Sequence, residues 1–206
     1  SRVHHLFLLK NLANFALMNS KSERNGVVVY CASSSEIDQK YLQVARQTGS
    51  LIASSGRPLV CGGGAGGMMA AIEGAVEAGG EAVGVLPEFM MRKRWNHPRL
   101  SHCIVTDSMH SRKMTMASMS CAAIALPGGI GTLDELAEIM TWHQLGLFTG
   151  PVVIVNTDGY YDPLLDMFRR MTELGFMRDG LIPALVATTP EEALSLIGNH
   201  VEESEK

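Results

Sequence analysis

The stretch "ALPGGIGTLDELAEI" (Ala125–Ile139) decides the fold of this chain. An apolar run ends at Pro127, three glycines fall within the next four positions, and a helical pattern opens at Thr132. A strand that runs through a glycine turn into a helix usually binds an anion, because free backbone N–H groups and the helix dipole meet there. Yet three acidic residues, Glu135 among them, stand at the start of this helix. They either cap the helix or act chemically beside a bound phosphate.

Similar apolar runs recur along the chain, with helical patterns between them. Short Val- and Ile-rich runs without polar alternation are typical of strands that are covered on both faces. We therefore predict an α/β fold, a single Rossmann-like doubly wound parallel sheet of about seven strands with helices on both faces. The whole chain, 1–206, is expected to form one nucleotide-binding domain with an N-terminal helical extension over 1–25. The predicted strands are VVVYCA (27–32), PLVC (58–61), EAVGVLP (81–87), HCIVTD (102–107), CAAIALP (121–127), PVVIVN (151–156) and ALVATT (184–189).

Composition excludes several classes of protein. Of the 206 residues, 46% are hydrophobic and 18% are charged, which is typical of a globular domain and not of a disordered chain. A formal charge of -4 gives no general attraction to nucleic acid or to anionic membranes. No run approaches the roughly 18 apolar residues of a membrane span, and the first residues lack the features of a secretory signal. We expect a cytoplasmic protein without a nucleic-acid or membrane partner.

The cysteines and histidines do not have metal-ligand spacing. The four cysteines show no C-x-x-C pair, and the seven histidines show no H-E-x-x-H pattern. Buried, reduced thiols are therefore expected, and no metal is predicted.

A second glycine loop, "CGGGAGGMM" (61–69), matches the dinucleotide fingerprint G-x-G-x-x-G through Gly62, Gly64 and Gly67. It follows the second predicted strand, however, and the next strand ends in Pro87 where an acidic residue would hold a ribose. No nicotinamide cofactor, and no other cofactor, is predicted. Glycine at these positions instead allows the backbone to come close to a ligand.

The loop "PGGIGT" (127–132) lacks the G-K-[ST] of a triphosphate-binding loop, so a monophosphate is the better ligand. Thr132 and Glu135 also fit a capping box, T-x-x-E, in which the glutamate returns to the N-cap amide. Both interpretations remain open from these residues alone. The position of the loop favours a ligand site, because parallel sheets bind ligands at the carboxyl ends of their strands.

Two cations stand near the start of the helix predicted within "MHSRKMTM" (109–116). The planar fork of Arg112 suits a phosphate or a carboxylate, although Arg112 and Lys113 could also be a solvated surface pair. If Arg112 lies beside Glu135, we expect the pairing to keep the Glu135 carboxylate ionised.

Two motifs in these segments resemble the signatures of the LOG ("Lonely guy") family of cytokinin-activating phosphoribohydrolases, long labelled "possible lysine decarboxylase". The family signature P-G-G-x-G-T-x-x-E matches Pro127 to Glu135 without departure, and M-x-x-R-K matches Met109, Arg112 and Lys113. The C-x-S-S loop at Cys31, the GGG-x-x-G-x-M turn at Gly62 and the run from Gln144 to Leu164 add to a resemblance that covers roughly 27–189.

The resemblance implies hydrolysis of the N-glycosidic bond of a nucleoside 5'-monophosphate, AMP or a cytokinin riboside monophosphate, to free base and ribose 5-phosphate. It implies Glu135 and Arg112 as catalytic residues. It also implies a homo-oligomer, at least a dimer. The implied substrate contacts are Ser33, Gly64, Met109, Lys113, Gly128, Gly129, Gly131 and Thr132.

Two other functions can be weighed against this one. A non-catalytic module that senses or carries a nucleotide would use the same glycine loops, and only the pair of Arg112 and Glu135 argues against it. Decarboxylation of an amino acid would need pyridoxal phosphate on a lysine, with an acidic partner for its ring nitrogen. Lys113 is the only lysine near the inferred site, and the chain lacks a second domain to cover such a cofactor.

Overall fold

The structure, a computed structural model, describes residues 24–177 and 180–204. The helical extension predicted over 1–25 lies almost entirely outside the described residues. Seven parallel strands form one sheet in the order β4-β3-β2-β1-β5-β6-β7. They are β1 (Gly26–Tyr30), β2 (Leu59–Cys61), β3 (Ala82–Pro87), β4 (His102–Thr106), β5 (Ser120–Ala125), β6 (Val152–Val155) and β7 (Leu185–Ala187).

Helices connect the strands. They are α1 (Gln39–Ser54), α2 (Gly67–Glu77), α3 (Glu88–Arg92), α4 (Met109–Ser118), α5 (Ile130–Gln144), α6 (Asp162–Glu173) and α7 (Pro190–Ser204). A short 3-10 turn, Thr157–Gly159, follows β6. Within these ranges, no helix combines the length and the apolar character that crossing a bilayer requires.

The inner strands of the sheet bury side chains on both faces, because successive residues point in opposite directions, whereas the edge strands β4 and β7 are partly exposed. In β1, Val27 and Val29 pack into one core with α1, α2 and α7. Val28 and Tyr30 pack into the other core with α4, α5 and the partly buried face of α6. The predicted doubly wound sheet of seven strands with helices on both faces is confirmed.

The strand order reverses between β1 and β5. From β1 the chain moves outward through β2, β3 and β4, and α4 then returns across the sheet to β5 on the other side of β1. Ligands bind at such a switch point in open α/β sheets. The loops that follow β1 and β5 therefore flank the expected site, and the return helix α4 brings Arg112 to the same edge.

All four cysteines are free thiols. Cys31 and Cys61 are buried and Cys121 is half-buried, as strand positions in a two-sided sheet require. Cys103 is exposed on the edge strand β4, where its sulfur lies 3.6 Å from the sulfur of Met91 in α3. The expectation of four buried thiols is wrong at this position.

Two glycines let α1 and α2 pack with their backbones in contact. A Cβ on Gly49 would lie 2.0 Å from the carbonyl oxygen of Ala71, and one on Gly74 would lie 2.0 Å from that of Arg46. Neither obstacle is a side chain that can rotate away, so the helices themselves would have to separate.

The substitution Gly74→Ala should therefore lower the free energy of unfolding by about 1–3 kcal/mol, although alanine is the better helix former. Gly198→Ala is a matched control, because Gly198 is an exposed residue of α7 with no atom within 4 Å of its Cβ position. It should raise the free energy of unfolding by roughly 0.5–1 kcal/mol. Urea denaturation measures both changes, and equal effects would contradict the close helix contact.

Candidate active site

Three loops meet at the carboxyl edge of the sheet. A Cβ on Gly128, in the loop after β5, would lie 3.0 Å from the backbone nitrogen of Ala32, which follows β1. The loops after β1 and β2 are joined by a hydrogen bond of 2.8 Å from the Gly67 amide to the Ala32 carbonyl. Gly66, with φ +64, lies so close to the Ser34 carbonyl that a Cβ would come within 2.4 Å of its oxygen. The loops after β1, β2 and β5 are therefore in contact at this edge of the sheet.

Helix α5 begins at Ile130, with Gly129 as its N-cap. Thr132 is therefore inside the first turn and is buried, with its side chain packed on Gly128. Since glycine has no capping side chain, the predicted alternative of a capping box between Thr132 and Glu135 does not form at this helix start. The first N–H groups of an α-helix have no acceptor within the helix, so they remain available to an anion.

Gly129 and Gly131 face open space, with no atom within 4 Å of a Cβ built on either residue. A ligand can therefore approach the main chain at both residues, as the loop pattern predicts. Ser33 is exposed on the loop after β1, and Gly64 is half-buried on the loop after β2. Met109, 37% exposed, begins α4 one turn before Arg112.

Arg112 is buried, and two of its nitrogens bind the backbone. Its Nε donates to the Val85 carbonyl over 2.8 Å, and its Nη2 donates to the Gly62 carbonyl over 3.1 Å. Its Nη1 lies 4.0 Å from Oε1 of Glu135, which is within ion-pair range but beyond hydrogen-bond distance. The predicted proximity of Arg112 and Glu135 is thus observed, with the guanidinium fixed by the ends of β2 and β3.

Glu135 has a perturbed pKa. Burial raises the pKa of its carboxyl from 4.5 to about 7, against the opposing effect of the Arg112 charge. Asp134 and Glu138 also raise this pKa, whereas Lys113 lowers it. Pairing with Arg112 therefore does not keep the carboxylate fully ionised, contrary to expectation. With this pKa the group is only partly ionised at neutral pH, because loss of hydration outweighs a single cation at 4.0 Å.

Lys113 lies against acidic side chains of α5. Its Nζ is 3.1 Å from Asp134 and 3.0 Å from Glu138, and its side chain is 11% exposed. Burial alone would lower the pKa of Lys113, but the hydrogen bonds to Glu138 and Asp134 outweigh it and raise the pKa. The predicted contact of Lys113 with substrate stays a prediction. In this structure its ammonium joins α4 to α5 through the residue before Glu135 and the residue one turn after it.

Sequence reasoning gave no individual role to two residues that shape the site. A Cβ on Gly62 would lie 2.0 Å from Nη2 of Arg112, so only glycine leaves room for the guanidinium. Tyr160 donates a hydrogen bond of 2.6 Å to the Gly128 carbonyl. Both residues fall in runs that resemble the family, and this resemblance is the only feature of the sequence that points to them. Their contacts could not be predicted, because Arg112 and Gly128 are far from them in sequence.

Across the part of the chain that the structure describes, no three His, Cys, Asp or Glu side chains gather as metal ligands. The charged groups around Glu135 are instead two cations, Arg112 and Lys113, and two further carboxylates.

The raised pKa of Glu135 predicts a pH-dependent cost to stability. The unfolded chain ionises this group near 4.5 and the folded protein near 7, so stability is lost as the pH rises between these values. At pH 8, the free energy of unfolding of Glu135→Gln should therefore exceed that of the wild type by up to about 2–3 kcal/mol. At pH 5 the difference should be much smaller. Urea denaturation at both pH values measures it. A difference between the two proteins that does not change with pH would contradict the assigned pKa.

Comparison with known proteins identifies the family. A family model described as "possible lysine decarboxylase" matches residues 68–197. The probable cytokinin riboside 5'-monophosphate phosphoribohydrolase LOGL2 of Oryza sativa subsp. japonica is 37% identical over 182 residues, which are 87% of this chain and 75% of the relative. The cytokinin riboside 5'-monophosphate phosphoribohydrolase LOG1 of Arabidopsis thaliana is 36% identical over 191 residues, 92% of this chain and 90% of the relative.

Among solved structures, the molybdenum cofactor binding protein of Rippkaea orientalis superposes with a TM-score of 0.67 at 26% identity, covering 86% of this chain and 98% of that protein. The fold is thus shared with a protein named for binding a different ligand, the molybdenum cofactor. The two plant relatives that match most of the chain in sequence are named as phosphoribohydrolases. The chain belongs to the LOG family.

Proposed function

We propose that this protein is a phosphoribohydrolase, which cleaves the N-glycosidic bond of a nucleoside 5'-monophosphate to release the base and ribose 5-phosphate. AMP and cytokinin riboside monophosphates are the proposed substrates. One observation carries the proposal, namely the Glu135 carboxyl, whose side chain is only 14% exposed, beside Arg112 at the open end of a glycine-rich loop. The names of the plant relatives support the same reaction.

The substrate phosphate would bind at the start of α5. The loop there presents main-chain N–H groups at Gly129 and Gly131, where no side chain obstructs a ligand. The positive end of the helix dipole stabilises the anion further. Thr132, in the same turn, would complete this phosphate site. With its phosphate held there, the ribose would extend toward Arg112 and Glu135.

Cleavage at an anomeric carbon develops positive charge on the sugar, as in glycoside hydrolysis. The C1'–N bond breaks, a water oxygen bonds to C1', and the leaving base gains a proton. Ionised Glu135 would stabilise the developing cation and accept a proton from the attacking water. A pKa near 7 suits this role, because such a group is a stronger base than an ordinary carboxylate and is still substantially ionised at neutral pH.

Amino-acid decarboxylation, which the family description suggests, fits this site poorly. A lysine that forms a Schiff base has to lose its proton, whereas the pKa of Lys113 is raised by its hydrogen bonds to Glu138 and Asp134. Both carboxylates would also have to release the ammonium before it reached a cofactor.

A carrier function is the second candidate, and the fold of the molybdenum cofactor binding protein favours it. A carrier would use the glycine loops but would not release a base. Incubation of the purified protein with AMP and with a prenylated AMP, followed by chromatography for the free base, separates the two functions. Binding of both nucleotides without release of base would contradict the proposed hydrolase.

Glu135→Gln should lower the rate of base release by about 10²–10³, the typical cost of removing one preorganised charge from a transition state. Glu173→Gln, the same substitution at an exposed position on α6, is the matched control and should retain wild-type activity within about twofold. If the Glu135 variant hydrolysed the nucleotide at the wild-type rate, the assignment of Glu135 would be wrong.

The pH dependence of kcat/KM tests which group titrates. The rate should rise with pH and level off above about 7, as Glu135 ionises. In Lys113→Gln the midpoint should move to higher pH, because the Lys113 charge lowers the pKa of Glu135. The substrate phosphate also titrates near pH 6, but it is the same in both assays and does not affect the difference. An unchanged midpoint would show that Glu135 is not the titrating group.

A further inference from the structure

Two adjacent tyrosines hold the backbone of the phosphate loop. They follow the 3-10 turn at Thr157–Gly159, after strand β6. The hydroxyl of Tyr160 donates to the Gly128 carbonyl over 2.6 Å, and that of Tyr161 donates to the Leu126 carbonyl over 2.7 Å. The proposed mechanism gives neither hydroxyl a role.

The bond from Tyr160 fixes the direction of one N–H group. A trans peptide unit is planar and its C=O and N–H bonds point in opposite directions, and no cis peptide is present in the described chain. When Tyr160 binds the Gly128 carbonyl, the N–H of Gly129 must therefore point away from the tyrosine. Gly129 is the N-cap of α5 and is open to solvent, so this N–H stands beside the free amides of the first helical turn.

The bond from Tyr161 has no such consequence. The carbonyl of Leu126 belongs to the peptide unit that ends at Pro127, and proline has no N–H. Tyr161 is also buried, so its hydroxyl satisfies a carbonyl inside the protein. The two tyrosines thus make the same kind of bond to the same loop, but only Tyr160 can orient a donor.

The ring of Tyr160 is held independently of its hydroxyl. It packs edge-on against Tyr41 of α1 at 5.9 Å between centroids and against Tyr161 at 5.0 Å. An ion pair of 2.7 Å between Lys40 and Asp158 ties the same turn to α1. Phenylalanine would keep both ring contacts, so the hydroxyl can be removed without displacing the ring.

We propose that Tyr160 is a positioning residue for the substrate phosphate, acting through the Gly128–Gly129 peptide. This inference rests on the proposed function, which places a phosphate at the start of α5. Without the hydroxyl, the peptide unit is free to rotate and its N–H is no longer held toward the ligand. The loss of the hydroxyl should therefore weaken substrate binding and leave the chemical step nearly unchanged, because the Gly129 amide would contact the phosphate and not the reacting carbon.

In Tyr160→Phe, the dissociation constant for ribose 5-phosphate should rise about tenfold, as expected for one weakened hydrogen bond to a charged group. The KM for AMP should rise by a similar factor while kcat stays within about threefold. Isothermal titration of the intact protein with ribose 5-phosphate and steady-state assays of base release give the two readouts.

Tyr161→Phe is the matched control. It leaves a buried carbonyl without its donor, so the urea midpoint should fall, while the dissociation constant for ribose 5-phosphate stays within about twofold. Equal losses of affinity in both variants, or an unchanged dissociation constant in Tyr160→Phe, would overturn the proposal. Weaker ribose 5-phosphate binding in Tyr160→Phe supports it even if the wild type released no base, an outcome that would overturn the hydrolase alone.

Discussion

The burial of one guanidinium at the top of the sheet determines the geometry of the site. Arg112 can cross the end of β2 only because Gly62 has no Cβ, which would lie 2.0 Å from Nη2. Carbonyls of Gly62 and Val85 then fix the side chain in a place that water reaches poorly. A buried cation needs such partners, since an ion without hydrogen bonds is costly inside a protein. The fixed charge of Arg112 lies 4.0 Å from the Glu135 carboxyl and lowers the pKa of that group.

Glu135 is held between two opposing effects. Burial favours the neutral acid, and Arg112 and Lys113 favour the carboxylate, so the pKa settles at about 7. A side chain without an ionisable group at this position would avoid the energetic cost of burying a carboxylate. A protein that cleaves a glycosidic bond benefits from it, because a water-poor carboxylate interacts strongly with positive charge that develops beside it. The energetic cost of the residue and its proposed role therefore have the same physical origin.

Much of the fold and part of the site could be predicted from local sequence. The apolar runs predict the strands because the inner strands are buried on both faces of the sheet. The run "PGGIGT" predicts the anion loop because glycine exposes the backbone. The raised pKa of Glu135 could not be predicted, since a sequence shows a nearby cation but not the depth of burial. The partners of Lys113 and Tyr160 also required the structure, because strand order and the return helix α4 bring together residues separated by 21 and 32 positions.

This chain shares its fold with a molybdenum cofactor binding protein, so the fold alone does not distinguish a hydrolase from a binding protein. Backbone amides at a helix start bind phosphate in either case, so the loop alone does not specify a reaction. A carboxylate close to that loop repels a bound phosphate and weakens simple binding. Its presence is advantageous only if its charge, or its proton, is used at another atom of the ligand. In this chain the carboxyl lies one turn into α5, beyond the glycine loop and beside Arg112. The proposed reaction places the sugar carbon of a bound nucleotide at this point.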